Sequence, residues 1–279
     1  MKNVYMLMHQ RKPDTMTLAA EVTEAFQKSG ISVSAEPWLH NKLGDKAKGL
    51  FAELDASQCD AIVALGGDGT LLRANALALQ VDLPVLGINI GRVGFLTEVE
   101  LDHLDQACSL LARDEYRVEE RMMLEATIDG RMGLALNDIV VSRGGYSRLI
   151  GMDARVNGEL VGHFVADGLI VSTPTGSTGY SLSAGGPLVC PEVECMLITP
   201  ICPHSLQHRP VVTSASQSIS ILLTEERSAM ISVDGREPIE FPGGHELLIT
   251  RADRPARFIR LEPRSFFSKI RVKLTEWSC

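Results

Sequence analysis

Residues 1–112 alternate between short apolar runs and stretches in which apolar side chains recur every three or four positions. A short apolar run is typical of a buried strand, and the longer spacing is typical of an amphipathic helix. The predicted strands are Val4–Met8, Ile31–Ala35, Ala61–Leu65 and Val85–Ile90, and the predicted helices are Thr17–Lys28, Ala47–Ala56, Thr70–Leu79 and Asp102–Ala112. Strands that alternate with helices imply a parallel sheet covered on both faces, so we predict an α/β, Rossmann-like layer.

After about Tyr116 the apolar positions recur with a period of two, which is typical of half-buried strands. Pairs of Asp or Asn with Gly predict hairpin turns, because these residues accept a positive φ. The strand-like runs are Arg121–Ile128, Ala135–Ser142, Gly151–Val156, Leu160–Phe164, Ile219–Leu223 and Met230–Val233, and the turn pairs are Asp129-Gly130, Asn157-Gly158 and Asp234-Gly235. This half is predicted to be a β-rich, β-sandwich-like domain.

The change of period divides the chain into an α/β nucleotide-binding domain at residues 1–115 and a β-rich domain at residues 116–253. Residues 254–279 are either a further β segment of the second domain or a return to the first. Periodicity alone leaves both possibilities open.

Charge narrows the choice of partners. The chain has 27 Lys and Arg against 35 Asp and Glu, a formal net charge of −8. An acidic balance argues against broad binding to nucleic acid or to an anionic membrane surface. Any anionic ligand must then be met by local backbone N–H donors, a few arginines or a metal ion.

The cysteines and the amino terminus indicate a cytoplasmic protein. The six cysteines form no C-x-x-C pair and no zinc-type spacing with histidine, so we expect them to be reduced. The apolar run near the amino terminus is too short for a signal peptide. We therefore predict a cytoplasmic protein.

No charged residue lies between Asp167 and Glu192. The hydroxyls, glycines and prolines of this stretch exclude a lipid-facing helix, so its neutrality needs another explanation.

The segment Gly66-Gly67-Asp68-Gly69-Thr70 lies between a predicted strand and a predicted helix. Glycines let the backbone approach a ligand, and the start of a helix offers free N–H groups to phosphate. An Asp repels phosphate unless it has another task, such as holding Mg²⁺ or accepting the proton of an attacking hydroxyl. The alternative is a plain strand-to-helix turn in which Asp68 or Thr70 caps the helix.

The neutral stretch contains the hydroxyl-rich run 172–187, which follows a predicted strand at Leu169–Val171. Many neutral donors and acceptors suit a polar ligand, and Tyr180 can stack on a flat base. Ser177 lacks the G-x-S-x-G setting of a nucleophile. A solvated loop is the simpler alternative.

Asn137-Asp138 can present an amide and a carboxylate to a ribose or a base, or can be a turn before a strand.

Together these segments resemble the bacterial form of the NAD kinase family. The similarity covers nearly the whole chain, and the hydroxyl-rich motif is its most specific part, because lipid kinases and, loosely, phosphofructokinases share the first motif. The segments that carry it are, in order, Gly66–Thr70, Gly87–Thr97, Asn137-Asp138, Asp167–Pro187 and Thr199–Leu206.

The resemblance implies ATP-dependent phosphorylation of the 2′-hydroxyl of the adenosine ribose of NAD⁺, giving NADP⁺, with Mg²⁺ or another divalent ion and with Asp68 as general base. The implied phosphate-binding positions are Gly66, Gly67, Gly69 and Thr70. The implied NAD-binding positions are Asp68, Gly69, Arg73, Asn137, Asp138, Arg148, Val165, Asp167, Thr178, Gly179, Tyr180, Ser181, Leu182, Ser183 and Arg236.

The resemblance also implies an active site between the two domains, completed by a neighbouring subunit of a homodimer or homotetramer, and a terminal segment that returns to the first domain. Three positions depart from the family pattern. Gly179 stands where many members have Ala, Val165 where relatives often have a basic residue, and Arg236 where Gln is frequent. Preference between NAD⁺ and NADH is therefore left open.

Two other functions remain as alternatives. One is a lipid or sugar kinase, although the polar run 172–187 suits a nucleotide better than a lipid. The other is a non-catalytic module that binds NAD(H) or NADP(H) and regulates a partner.

Overall fold

The chain forms two compact units in the computed structural model, which describes residues 1–8, 15–43, 50–91, 94–145, 148–261 and 265–276. Unit 1 consists of Met1–Glu120 and Ala256–Cys279, and unit 2 consists of Arg121–Pro255. None of the helices in these described ranges is both long enough and apolar enough to span a bilayer.

The strands and helices alternate in unit 1, whereas unit 2 is built almost wholly of strands. The strands are β1 Asn3–Met8, β2 Ser32–Ala35, β3 Ala61–Gly66, β4 Val85–Asn89, β5 Val99–Glu100, β6 Arg117–Arg121, β7 Leu124–Ile128, β8 Arg131–Ala135, β9 Asp138–Ser142, β10 Ile150–Val156, β11 Glu159–Ala166, β12 Gly168–Ser172, β13 Cys195–Ile201, β14 Val211–Ser214, β15 Ile219–Leu223, β16 Ala229–Val233, β17 Ile239–Phe241, β18 Glu246–Arg251 and β19 Ala256–Arg260. The helices are α1 Thr15–Lys28, α2 Pro37–Leu43, α3 Asp68–Val81, α4 Leu104–Ala112, α5 Tyr180–Ser183 and α6 Phe266–Glu276.

The sheet of unit 1 has the strand order β2-β1-β3-β4-β19-β6, with β5 paired to β4. The pairs from β2 to β19 are parallel. Successive residues of β1, Met6 and Leu7, are both buried although they point to opposite faces, so this sheet is covered on both sides. The predicted Rossmann-like α/β layer is confirmed. The terminal strand β19 lies in this sheet beside β4.

One predicted helix of unit 1 is wrong. The prediction covered Ala47–Ala56, of which residues 47–49 lie outside the described ranges, and residues 50–55 are not helical. A short 3-10 turn follows at Ala56–Gln58, and α2 lies earlier, where no helix was predicted. The backbone N–H of Ala52 donates to the carbonyl of Val33 on β2 at 2.7 Å. This bond to a strand takes the place of the hydrogen bond that the same N–H would make within a helix.

Unit 2 is a sandwich of two antiparallel sheets. Their strand orders are β11-β10-β15-β18-β7-β8 and β14-β13-β12-β9-β16-β17. One core of buried apolar side chains draws on both sheets, for example Met152 and Ile219 from the first and Val141 and Ile198 from the second. The predicted β-rich, β-sandwich-like fold is confirmed, because alternate residues of each strand face this shared core.

The three turn predictions are confirmed by their backbone angles. Both residues of Asp129-Gly130, of Asn157-Gly158 and of Asp234-Gly235 have positive φ. The first pair joins β7 to β8 and the second joins β10 to β11, each as a two-residue hairpin loop. Two predicted runs are each divided. Arg121–Ile128 becomes β6 and β7, and Ala135–Ser142 becomes β8 and β9.

Candidate functional site

The glycine motif of unit 1 joins β3 to α3. Gly67 is the N-cap of α3 and makes no side-chain capping bond, so the alternative in which Asp68 or Thr70 caps the helix is wrong. A Cβ on Gly66 would lie 2.2 Å from Oγ1 of Thr70, so this position requires glycine. Gly67 and Gly69 have open space where a Cβ would be. The motif therefore leaves an accessible helix start of the kind that accepts phosphate.

Asp68 is held by the turn that follows β4. The N–H of Phe95 donates to Oδ2 of Asp68 at 3.0 Å, and the N–H of Leu96 donates to Oδ1 at 3.2 Å. A Cβ on Gly94 would lie 2.1 Å from Oδ1, so only glycine lets the turn approach this carboxylate. The sequence assigns no role to the Gly87–Thr97 motif. In the structure, Phe95 and Leu96 near its end fix the carboxylate of Asp68.

Arg73 lies on α3, one and a half turns after Asp68. Its Nη2 donates to the carbonyl of Met8 at 2.7 Å and forms an ion pair with Glu36 at 2.8 Å. The guanidinium is therefore anchored at the carboxyl end of β1 and remains partly exposed.

In unit 2, Asp234 organises the segment between β8 and β9. Its carboxylate accepts the N–H groups of Leu136, Asn137 and Asp138 at 2.9, 2.7 and 3.2 Å. These bonds explain why the predicted run Ala135–Ser142 is interrupted. Sequence reasoning treated Asp234 only as a turn residue. The left-handed backbone at Asp234 could be predicted from the Asp-Gly pair in the sequence. The three hydrogen bonds that its carboxylate accepts depend on the tertiary fold.

Asp138 is buried, with 7% of the residue exposed. Burial raises the pKa of Asp138 to about 7, and the nearby charge of Asp234 adds to the rise. Burial also raises the pKa of Asp234, although its three backbone bonds and Arg236 oppose that shift. Near neutral pH a sizeable fraction of Asp138 is therefore protonated and able to donate a hydrogen bond.

We expect Asp138 to make unit 2 less stable as the pH rises from about 4 to about 7. The folded carboxyl keeps a proton that the unfolded chain has released, so folding loses free energy across that window, by up to roughly 4 kcal/mol. Asp138→Asn removes this cost and should flatten the dependence of the urea-unfolding midpoint on pH. The exposed Asp253→Asn is the control, and equal slopes for Asp138→Asn and the parent would contradict the prediction.

The hydroxyl-rich run is an ordered structure rather than a solvated loop. It continues from β12 into a 3-10 turn at Thr175–Thr178 and then into α5. The Thr173 hydroxyl donates to the carbonyl of Leu136 at 2.6 Å, and the Ser177 hydroxyl donates to the carbonyl of Pro174 at 2.6 Å. These two hydroxyls therefore help to hold the run in place.

The remaining residues of the run differ in accessibility. The side chain of Ser181 is buried, and its hydroxyl shares a hydrogen bond with that of Thr199 at 3.0 Å. Tyr180 is 47% exposed and Ser183 is also exposed, whereas Thr178, Gly179 and Leu182 are partly exposed. Tyr180 thus keeps a ring face that can stack on a base.

The run and the Asn137-Asp138 pair come together at Gly179. A Cβ on Gly179 would lie 3.9 Å from Nδ2 of Asn137 and 4.0 Å from Oδ2 of Asp138. The buried Oδ1 of Asn137 has no hydrogen-bond partner among the described residues. This unpaired acceptor is suited to a hydrogen-bond donor of a ligand, because a buried polar atom without a partner costs free energy.

The other predicted positions of unit 2 are more scattered. Asp167 forms an ion pair with Nε of Arg143 at 2.6 Å. Val165 is exposed on β11, and Arg148 is exposed at a bend before β10. The Nη2 of exposed Arg236 reaches the carbonyl of Leu134 at 3.5 Å. Arg236 also lies close enough to Asp234 for its charge to act on that carboxylate.

Two family models match the chain. The ATP-NAD kinase N-terminal domain matches residues 4–116, and the ATP-NAD kinase C-terminal domain matches residues 136–261. The chain belongs to the NAD kinase family. The NAD kinase of Moorella thermoacetica is 41% identical over 281 residues, covering 99% of this chain and 90% of its own. That of Heliobacterium modesticaldum is 47% identical over 226 residues, covering 78% and 80%.

Solved structures of NAD kinase family members have the same fold. A yeast NADH kinase complexed with NADH superposes with a TM-score of 0.85 at 27% identity, covering 97% of this chain and 86% of its own. An NAD kinase from Archaeoglobus fulgidus in complex with ATP gives a TM-score of 0.76 at 28% identity, covering 98% of both chains. The protein is thus an enzyme, an NAD kinase, because its fold and both of its domains match those of this family.

Within the described ranges no group of three or more His, Cys, Asp and Glu could hold a metal ion. Mg²⁺ is in general often held mainly by substrate phosphates with one or two protein carboxylates. Asp68, at the open start of α3, is the carboxylate suited to complete such a shell.

Proposed function

We propose that this protein transfers the terminal phosphoryl group of ATP to the 2′-hydroxyl of the adenosine ribose of NAD⁺, giving NADP⁺, with Asp68 as general base. The observation that carries the proposal is the carboxylate of Asp68, fixed at the first turn of α3 by the N–H groups of Phe95 and Leu96. Each oxygen accepts one of these bonds and keeps acceptor capacity for a substrate hydroxyl.

A ribose hydroxyl is a weak nucleophile near neutral pH. A positioned carboxylate takes its proton as the bond to phosphorus forms, and such general-base assistance contributes about 10²–10⁴-fold to the rate. The rest of the acceleration comes from in-line positioning and from charge stabilisation, because phosphoryl transfer asks little covalent chemistry of the protein.

We assign the phosphates of ATP to the start of α3, at Gly66, Gly67, Gly69 and Thr70. The helix dipole and the open backbone at Gly67 and Gly69 favour an anion there. Mg²⁺ bound with ATP would supply positive charge that this acidic chain lacks.

We assign NAD⁺ to the cluster around Asn137 in unit 2. The open acceptor Oδ1 of Asn137 and the partly protonated carboxyl of Asp138 suit the polar edges of a ribose or base. The exposed ring of Tyr180 suits stacking on a base. Asp167, with its partner Arg143, is assigned to the same substrate.

The experiment is to incubate the purified protein with NAD⁺, ATP and Mg²⁺ and to assay for NADP⁺. We expect NADP⁺ only when all three are present. Parallel reactions with NADH as acceptor, and with polyphosphate as donor, define the specificity. Phosphorylation of diacylglycerol or a sugar in place of NAD⁺ would overturn the proposed substrate, and binding of NAD⁺ without any transfer would favour the non-catalytic module.

It stays a prediction that the protein is a cytoplasmic homodimer or homotetramer and that it binds neither nucleic acid nor membranes. Sedimentation of the purified chain with and without NAD⁺ measures the oligomeric state directly.

A further inference from the structure

The turn that holds Asp68 is itself held by a lysine of the terminal helix α6. The Nζ of Lys269 donates to the carbonyl oxygens of Phe95 and Thr97, each at 3.1 Å. The guanidinium of Arg260, 4% exposed at the end of β19, donates to the carbonyl of Leu96 at 3.0 Å. Three successive carbonyls of the turn therefore face cations from the terminal segment.

The peptide group between Phe95 and Leu96 connects the lysine to the carboxylate. Its carbonyl oxygen accepts a hydrogen bond from Lys269, and its N–H donates to Oδ1 of Asp68. Lysine ammonium, peptide group and carboxylate thus form one chain of hydrogen bonds.

We infer that Lys269 is a positioning residue for Asp68, acting through the Phe95–Leu96 peptide. This inference rests on the proposed function, in which Asp68 is the general base. A cation on the oxygen side fixes the plane of the peptide, so its N–H points to the carboxylate rather than away from it. The same cation polarises the peptide and strengthens its donation to Asp68, because hydrogen bonds in a chain reinforce one another.

A purely structural role for Lys269 would have different consequences. If the lysine only docked α6, its loss would lower stability, and activity would follow the folded fraction. If it positions Asp68, its loss displaces the carboxylate from the substrate hydroxyl while the fold and the binding of substrates remain. Small displacements of a catalytic group have large effects on rate.

The test compares Lys269→Met with Lys269→Arg and Lys28→Met. We expect Lys269→Met to lower kcat and kcat/KM by the same factor, about ten-fold, with the KM values for NAD⁺ and ATP changed by less than about two-fold. Lys269→Arg keeps a cationic donor and should restore most of the turnover. Lys28, an exposed lysine in the last turn of α1 in the same unit, is the control for loss of a positive charge. Its kcat should match the parent.

A double-mutant cycle with Asp68→Asn separates positioning from stability. If Lys269 acts through Asp68, Lys269→Met should not lower the residual turnover of Asp68→Asn any further. Full turnover in Lys269→Met would overturn the inference, as would an equal loss in both backgrounds or a loss that follows a lowered Tm. Normal turnover in Asp68→Asn alone would instead overturn the proposed base, so the two failures are distinguishable.

Discussion

Replacing Asp68 by Asn is expected to lower the rate of NADP⁺ formation by about 10²–10⁴-fold, the contribution of a positioned general base. The amide keeps the size of the side chain, and its oxygen can still accept one of the two N–H groups of the turn. It cannot take the proton of the ribose hydroxyl. The measurement is steady-state turnover, with NAD⁺ affinity from calorimetry, which should change little because the proposed NAD⁺ cluster lies on unit 2.

The matched control is Asp105→Asn, which makes the same chemical change at an exposed residue in the first turn of another helix of unit 1. Its turnover and its Tm should match those of the parent. Near-normal turnover in Asp68→Asn with unchanged folding would eliminate Asp68 as the base. A parallel fall in Tm for Asp68→Asn would mean that its carboxylate acts mainly by holding the turn after β4.

Gly176→Ala is expected to disrupt the proposed NAD⁺ site. A Cβ on Gly176 would lie 2.0 Å from the carbonyl oxygen of Asn137 and 2.5 Å from its carbonyl carbon, and both are backbone atoms that cannot rotate away. The run must therefore move from Asn137 by about an ångström, a displacement that costs on the order of 10²-fold in rate when it moves substrate-positioning groups. Overpacking of this kind also lowers stability by about 1–3 kcal/mol.

The control is Gly145→Ala in the same unit, where a Cβ would meet no atom within 4 Å. We expect its turnover and urea midpoint to equal those of the parent. For Gly176→Ala, kcat/KM for NAD⁺ is the informative measurement. An unchanged kcat/KM would show that the contact between Gly176 and Asn137 does not position the substrate.

The motifs predicted the chemistry of unit 1 only in part. The glycines and the Asp of the 66–70 motif are local signals, since an apolar strand, a glycine turn and a helix start are readable from neighbouring residues. The turn at Gly94–Leu96 is more than twenty residues away from Asp68 in sequence, and no local pattern shows that its N–H groups reach that carboxylate. The lysine that supports the turn is further still along the chain.

The helix predicted for Ala47–Ala56 shows the same limit in the fold. Its composition favours a helix, but the N–H of Ala52 pairs with β2, a partner that local propensity does not contain. The turn pairs behave in the opposite way. Asp129-Gly130 and Asn157-Gly158 have the backbone angles predicted for them, because positive φ is a property of these residues themselves.

The sequence by itself determined the two fold classes, the hairpin turns and the identity of the chemical groups, because hydrophobic period and backbone preference are local. Only the tertiary structure decided which groups meet. It brought Asp234 to the amides of residues 136–138, the turn at Gly94–Leu96 to Asp68, and Gly179 to Asn137. It also decided that several hydroxyls of the neutral run brace the run itself, because hydrogen bonds between distant segments depend on packing that no short window of sequence encodes.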